Sequence, residues 1–221
     1  MKKVLYYLAG MVFLSCSGST QIVEPAYPAV LTPETVGFLL SAKPDDMDSG
    51  LYLYRNELSR PLVETFYEGI TSDREISEAI LTAANQNNIP LPLAFSLAWV
   101  ESSYYVRATN RNSNSVDRGL FQLNSRTFPQ LKEEQFYNPH LNARYGLAHF
   151  RYCMEVGNTE LVALAMYNAG VNRVRRGTPY TTLYYVARIM ENERKLSESF
   201  ELMIQDNVQI ARVLGMAARD S

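Results

Sequence analysis

Apolar residues recur every three or four positions along most of the chain, which is the spacing of helices that bury one face. The pattern predicts helices over 32–40, 72–88, 138–154, 159–168 and from Thr181 or Thr182 to about Lys195, followed by an amphipathic helix over 200–217. Thr32, Ser72, Asn138 and Thr159 are residue types that cap helices at their first turn. No segment alternates strictly enough to predict a strand, so the predicted fold class is all-α.

Residues 91–100 differ from the other helical segments because they are apolar almost without interruption. Pro92 fits the first turn of a helix, so the run predicts a buried helix with Glu101 near its C-terminal end. Burial and the negative end of the helix dipole both disfavour the carboxylate anion, and both would raise the pKa of Glu101 toward that of a general acid. The alternative is an ordinary Glu that ends the helix and faces solvent.

Length and composition fit one globular domain with a short appendage. The chain has 221 residues, of which 47% are hydrophobic and 20% charged. We predict a signal peptide over 1–15, a tether over 16–32, an N-terminal helical extension over 33–70, the domain itself over 71–195 and a C-terminal helical tail over 196–221. A net charge of -2 argues against a nucleic-acid partner, which requires a basic face.

The N-terminus has the features of an export signal. Two lysines at positions 2 and 3 precede the apolar stretch 4–14, and Ser15-Cys16 follows it. The junction resembles a bacterial lipobox, which predicts lipidation of Cys16, with simple cleavage as the alternative. Either outcome exports the chain. The second cysteine, Cys153, falls in a helical pattern and is interpreted as a buried apolar residue, so no disulfide framework is predicted.

Three short motifs follow one another along the domain. They are Glu101-Ser102, the run Gly119-Leu120-Phe121-Gln122 and the run Tyr167-Asn168-Ala169-Gly170. Their order resembles that of lytic transglycosylases of the soluble-transglycosylase, goose-lysozyme-like family, and Tyr185-Val186 is similar to that family's closing motif. The segment 108–122 looks most like the small specialised members that accompany secretion systems and pili. The resemblance covers about residues 71–195 and implies a lysozyme-like helical fold.

The resemblance also implies roles for individual residues. Glu101 would be the acid and then the base, and Tyr167 would hydrogen-bond its carboxyl group. The family's substrate is peptidoglycan, whose glycan strand would be bound by a set of six further residues in this chain. They are Gln122, Asn168, Phe121, Asn110, Gly119 and Tyr185. Gly119 and Gly170 are expected to allow a positive φ or a close backbone approach. Each of these residues also has a plainly structural interpretation, such as a core tyrosine, a surface amide or a turn.

Asp117 is the one further carboxylate in the motif region. A second carboxylate near the acid would permit hydrolysis by water, whereas capping of the loop or pairing with Arg118 or Arg111 would make it structural. The two histidines, His140 and His149, are nine positions apart and do not form a metal cluster. No cofactor or metal is predicted.

Three functions are therefore compatible with the sequence. The first is a lytic transglycosylase acting on peptidoglycan, held at a membrane by a lipid anchor and with an envelope-spanning machine as its potential partner. The second is a muramidase that uses Asp117. The third is a catalytically silent peptidoglycan-binding lipoprotein, which has less support because Glu101 and the Tyr167-Asn168 pair are all present.

Overall fold

The computed structural model of the chain describes residues 32–40 and 47–213. The described helices are α1 (Pro33–Leu39), α2 (Ser49–Arg55), α3 (Arg60–Thr71), α4 (Arg74–Asn87), α5 (Leu91–Ser102), α6 (Pro139–Gly157), α7 (Glu160–Ala169), α8 (Val171–Arg176) and α9 (Tyr180–Val213). A short 3-10 helix spans Glu133–Tyr137, and the strands are β1 (Thr109–Arg111), β2 (Val116–Arg118) and β3 (Leu123–Asn124). The predicted all-α fold class is confirmed. The predicted signal peptide and Cys16 lie outside the described residues.

Most helix starts follow from capping residues visible in the sequence. The side chains of Thr32, Asn138 and Thr159 each accept a hydrogen bond from a backbone N–H in the first turn of α1, α6 and α7. The prediction that Ser72 caps α4 is wrong. Ser72 ends α3 in the left-handed conformation, with φ 56°, and Asp73 caps α4 instead by accepting from the backbone N–H of Ile76.

A small antiparallel sheet interrupts the helices, and the sequence did not predict it. Its order is β1-β2-β3, with Asn110 opposite Asp117 and Asp117 opposite Asn124. The strands are two or three residues long, and β1 and β2 show no alternation of buried and exposed positions. Two or three residues are too few to show a period-two pattern in the sequence. The pairing of β1 with β2 is fixed instead by the tight turn between them. The backbone N–H of Asn112 closes that turn on the carbonyl of Ser115.

The N-terminal helices α2 and α3 pack into the same core as the rest of the chain. Leu51, Val63 and Tyr67 belong to the main cluster of buried side chains. Asp48 Oδ1 accepts hydrogen bonds from the backbone N–H groups of both Leu51, in α2, and Leu91, in α5, at 2.9 and 3.2 Å. One carboxylate therefore caps two helices that are distant in sequence.

Helix α9 is longer than predicted. The prediction of two separate helices, over 181–195 and 200–217, is wrong because α9 continues without a break to Val213. Residues 196–199 contain neither Gly nor Pro, and buried Leu196 and Phe200 extend one apolar face along the helix. Phe200 packs against Phe66 and Tyr67 of α3, with ring centroids 5.1 and 5.9 Å apart. Among the described helices, none is both long and apolar enough to cross a membrane.

Candidate active site

Glu101 lies where helix α5 emerges from the core. All of the residues 91–98 are buried, whereas Trp99, which we expected inside with them, is 43% exposed. Glu101 is half-buried, one residue before the helix ends. The predicted placement of a carboxyl group at the C-terminal end of a buried helix is therefore confirmed.

The surroundings of Glu101 hold a proton on it near neutral pH. Loss of hydration on burial, together with a smaller contribution from the negative charge of Asp117, raises its pKa to about 7. A hydrogen bond from Tyr185 acts in the opposite direction, since it stabilises the anion. A group with this pKa is half protonated at neutral pH and can both give and accept a proton.

The hydrogen-bond partner of Glu101 is Tyr185 of α9. Tyr185 Oη donates to Glu101 Oε1 at 2.5 Å. The prediction that Tyr167 makes this bond is wrong, because Tyr167 Oη donates to the carbonyl oxygen of Phe121 at 2.8 Å. The Tyr185-Val186 motif did carry a signal for this role: Val186 and Ile189 are buried, which orients that face of α9 toward the core.

The loop from Gly119 to Gln122 is shaped by backbone geometry. Gly119 has φ 79°, as predicted, and its N–H donates to the carbonyl of Ala108. Gln122 has φ 45°, and its Nε2 donates to the carbonyls of Ala108 and Gly119 at 3.3 and 2.9 Å. The donors of the Gln122 amide thus hold its own loop.

The side chain of Phe121 is not accessible to a glycan strand, in contrast to the binding role that the resemblance implied. Its side chain is fully buried, and it packs directly against Gly146 of α6. The expectation failed because a family motif does not reveal which way each side chain points. Only the backbone of Phe121 contributes near the site, through the carbonyl that accepts from Tyr167.

Asn142 of α6 holds this loop, and sequence reasoning missed it. Its Oδ1 accepts from the backbone N–H of Phe121 at 2.8 Å, and its Nδ2 donates to the carbonyls of Arg118 and Phe136 at 3.0 and 2.7 Å. Asn142 is only 1% exposed. An Asn on the inward face of a predicted helix was the available signal, because a buried amide needs partners.

Asn168 joins the end of α7 to the start of α9. Its Oδ1 accepts from Thr182 Oγ1 at 2.8 Å, and Thr182 is buried. The residue itself is exposed, and its Nδ2 has no hydrogen-bond partner among the described residues. Gly170 ends α7 with φ 84°, in agreement with the expected positive φ.

Asp117 is held by two amides. Its Oδ2 accepts from Asn112 Nδ2 at 2.8 Å and its Oδ1 from Asn124 Nδ2 at 2.6 Å. These bonds join Asp117 to the loop and to β3, whereas the expected pairing with Arg118 is not formed, since Arg118 lies 3.4 Å from a carboxylate oxygen of Glu133. Asn110, on the neighbouring strand, is exposed and lies opposite Asp117 in the sheet register.

Cys153 and the two histidines are the other side chains that could take part in a reaction, and none of them is hydrogen-bonded to Glu101 in the described part of the chain. Cys153 is buried in α6, which raises the pKa of its thiol to about 11. His140 is exposed, whereas the half-buried ring of His149 lies beside Tyr167, and burial lowers its pKa. Within residues 32–40 and 47–213, no group of three or more His, Cys, Asp or Glu side chains is arranged to hold a metal ion.

The site thus combines one proton-holding carboxyl group, a phenol bonded to it and several amides on nearby loops. A comparison with curated proteins found no match. The segment 78–182, however, matches the family model of the Transglycosylase SLT domain, and it includes Glu101, Asp117 and Asn168 but ends before Tyr185. The predicted lysozyme-like character of the helical fold agrees with this match, which covers slightly less than half of the chain.

Proposed function

We propose that the protein is a lytic transglycosylase that cleaves the β-1,4 bond between MurNAc and GlcNAc and leaves 1,6-anhydroMurNAc ends. In this reaction it is a carbon–oxygen lyase. The observation that carries the proposal is the Glu101 carboxyl group, with its pKa near 7 and its hydrogen bond from Tyr185. One group that can hold and release a proton at neutral pH suffices for both halves of this reaction.

The first half uses Glu101 as an acid. Its proton passes to the O4 oxygen of the leaving sugar, the C1–O4 bond breaks and positive charge develops at C1. In the second half the C6 hydroxyl of the same MurNAc attacks C1 and gives its proton to the Glu101 carboxylate. The C1–O4 bond is exchanged for an intramolecular C1–O6 bond, Glu101 returns to its acid form and water is not consumed.

Tyr185 is proposed as a positioning residue for both steps. Its hydrogen bond holds one oxygen of Glu101 in place and stabilises the carboxylate that forms after the first transfer. The exposed amides of Asn168 and Asn110, together with Oε1 of Gln122, are proposed to bind sugar hydroxyl and N-acetyl groups. Gly119 contributes the backbone shape of the loop.

Hydrolysis is the second candidate, and the two amides that hold Asp117 favour it. Asp117 accepts hydrogen bonds from two amides, whereas burial raises the pKa of Glu101 to about 7. Two carboxyl groups in such different environments are the arrangement by which retaining glycosidases divide the roles of nucleophile and acid. The transglycosylase proposal ranks first because of the family match.

Product analysis of Asp117→Asn separates the two candidates. We expect purified glycan strands to yield anhydro ends, each lighter by one water than a reducing end, with both the wild type and Asp117→Asn. The variant should keep substantial activity, because the attacking hydroxyl belongs to the sugar. Mass spectrometry of the digests provides the measurement. Reducing ends as the main product, combined with an inactive but folded Asp117→Asn protein, would establish hydrolysis instead.

The pH dependence of the same variant gives a second readout. Glu101 must be protonated for the first step, so activity should fall as the pH rises through about 7. The charge of Asp117 raises the pKa of Glu101. In Asp117→Asn, therefore, the fall of activity on the alkaline side of the pH profile should occur at lower pH. If the alkaline side of the pH–activity profile is the same in the wild type and in Asp117→Asn, Asp117 does not act on Glu101 electrostatically.

We also propose that the protein is exported, acts in the periplasm and is held at a membrane by acyl chains on Cys16. Ser15-Cys16 after a charged and apolar leader supports this anchor, and two chains bind a membrane far more firmly than one. Replacing Cys16 with Ala should move the protein to the soluble fraction of the envelope, as measured by fractionation. A wild-type protein that is fully soluble there, without lipid on Cys16, contradicts the anchor. Recruitment by a secretion or pilus machine stays a prediction.

A further inference from the structure

The charge of the chain is unevenly distributed around the site. Residues 161–190 contain no Asp or Glu and four arginines, at positions 173, 175, 176 and 188. The net charge of -2 therefore divides into +4 in this stretch and -6 in the remainder. We call residues 171–188 the basic segment. A cationic surface on an otherwise acidic protein favours an anionic ligand.

Both ends of the basic segment are connected to residues of the site. Asn168 lies three residues before the start of the segment. Thr182, near the end of the segment, donates a hydrogen bond from its Oγ1 to Asn168 Oδ1 at 2.8 Å. Three residues after Thr182, Tyr185 donates to Glu101. Arg188 follows Tyr185 by one helical turn, so it lies on the neighbouring surface of α9. The basic segment is therefore tied at its start to Asn168 and near its end, through Tyr185, to Glu101.

The four arginines are free to meet a ligand. All are exposed, and none makes an ion pair with a described residue. By contrast, Arg74, Arg151 and Arg194 each pair with a Glu on their own helix. Val171 and Val174 pack against the core, which fixes α8 so that its arginines point away from the core.

We propose that the basic segment binds the carboxylates of the peptide stems attached to the glycan strand, so that the enzyme prefers strands with acidic stems over bare or neutral ones. This inference rests on the proposed peptidoglycan substrate. Stem carboxylates branch from the same sugar whose bond is broken, which places them within reach of a cationic surface next to Glu101. The guanidinium group suits them because it can bind a carboxylate through two parallel hydrogen bonds.

The test combines a triple variant, Arg173→Gln, Arg175→Gln and Arg176→Gln, with chemically altered substrate. Glycan strands with intact stems are compared with strands whose stem carboxylates have been converted to amides. Exposed Arg–carboxylate pairs are individually weak, so the expected effect is about a tenfold rise in KM for intact strands with little change in kcat. Amidation should raise the wild-type KM by the same factor and should have no further effect on the variant.

A charge-matched control removes three arginines elsewhere, at positions 74, 151 and 194, and should keep the wild-type KM on both substrates. Equal wild-type KM values for intact and amidated strands would overturn the inference while leaving the proposed function standing. Failure of the wild type to cleave either strand would refute the proposed function itself. The last comparison uses vesicles of anionic lipid and Cys16→Ala protein, with and without the three Arg→Gln changes, so that no acyl chain contributes to binding. If amidation of the stems has no effect on KM and the three Arg→Gln changes abolish vesicle binding, the basic segment contacts a membrane and not the stems.

Discussion

Replacing Glu101 with Gln is expected to abolish nearly all turnover and to leave folding and substrate binding intact. Loss of a general acid typically lowers the rate on the order of 100- to 10,000-fold, and the larger figure is expected because one group serves both proton transfers. The amide keeps the shape of the side chain and can still accept the hydrogen bond from Tyr185. Release of anhydro ends from purified glycan strands measures the loss, and sedimentation with insoluble peptidoglycan measures binding.

Glu155→Gln is the matched control for this experiment, since Glu155 is an exposed Glu that, within the described part of the chain, forms an ion pair only with Arg151 on its own helix. It should behave as wild type. More than a tenth of the wild-type rate in pure Glu101→Gln protein would remove Glu101 from the mechanism. If the wild type and the variant bind equally and neither turns over, the protein is a silent binding lipoprotein.

Gly119→Ala is expected to cause the largest loss of stability of any single methyl addition at the site. A Cβ at this position would lie 2.1 Å from Asn142 Nδ2 and 2.2 Å from the carbonyl oxygen of Phe136. Both atoms belong to the hydrogen bonds that hold the loop, so neither can move without breaking them. The positive φ adds strain of about 1–2 kcal/mol, and overpacking adds about 1–3 kcal/mol. Urea unfolding should show a loss of roughly 2–5 kcal/mol in the free energy of unfolding.

Two other glycines separate the causes of that loss. Gly170 has φ 84° but open space around it, so Gly170→Ala should show the strain alone. Gly69 lies inside α3 with no atom within 4 Å of an added Cβ, so Gly69→Ala should stabilise the protein by up to about 1 kcal/mol. Equal effects at all three positions would show that the contacts of Gly119 with Asn142 are unimportant.

The sequence was most informative where a local rule operates. Caps such as Thr32 and Thr159 act within one helical turn, and the uninterrupted apolar run before Glu101 needs no knowledge of its neighbours. These features were predicted correctly because the physical cause and the signal lie in the same few residues.

Errors occurred where the outcome depends on distant partners. Tyr167 and Tyr185 are both near Glu101, and only the packing of α9 on α5 decides which phenol bonds the carboxyl group. The direction of the Phe121 ring depends on the space left by Gly146. The short sheet depends on a turn and on amide contacts to Asp117 rather than on a periodic pattern. None of these long-range contacts has a periodicity that a single sequence reveals.

Helix α9 contacts Glu101 near one end and the N-terminal helices α2 and α3 farther along its length. One end holds Tyr185 on Glu101, and about 22 Å along the helix, at the rise of 1.5 Å per residue, Phe200 lies in the aromatic contacts with α3. The adjacent Glu201 accepts a hydrogen bond from Ser49 of α2. Helix α9 therefore connects the residue bonded to Glu101 with helices α2 and α3, which precede the segment matched by the family model.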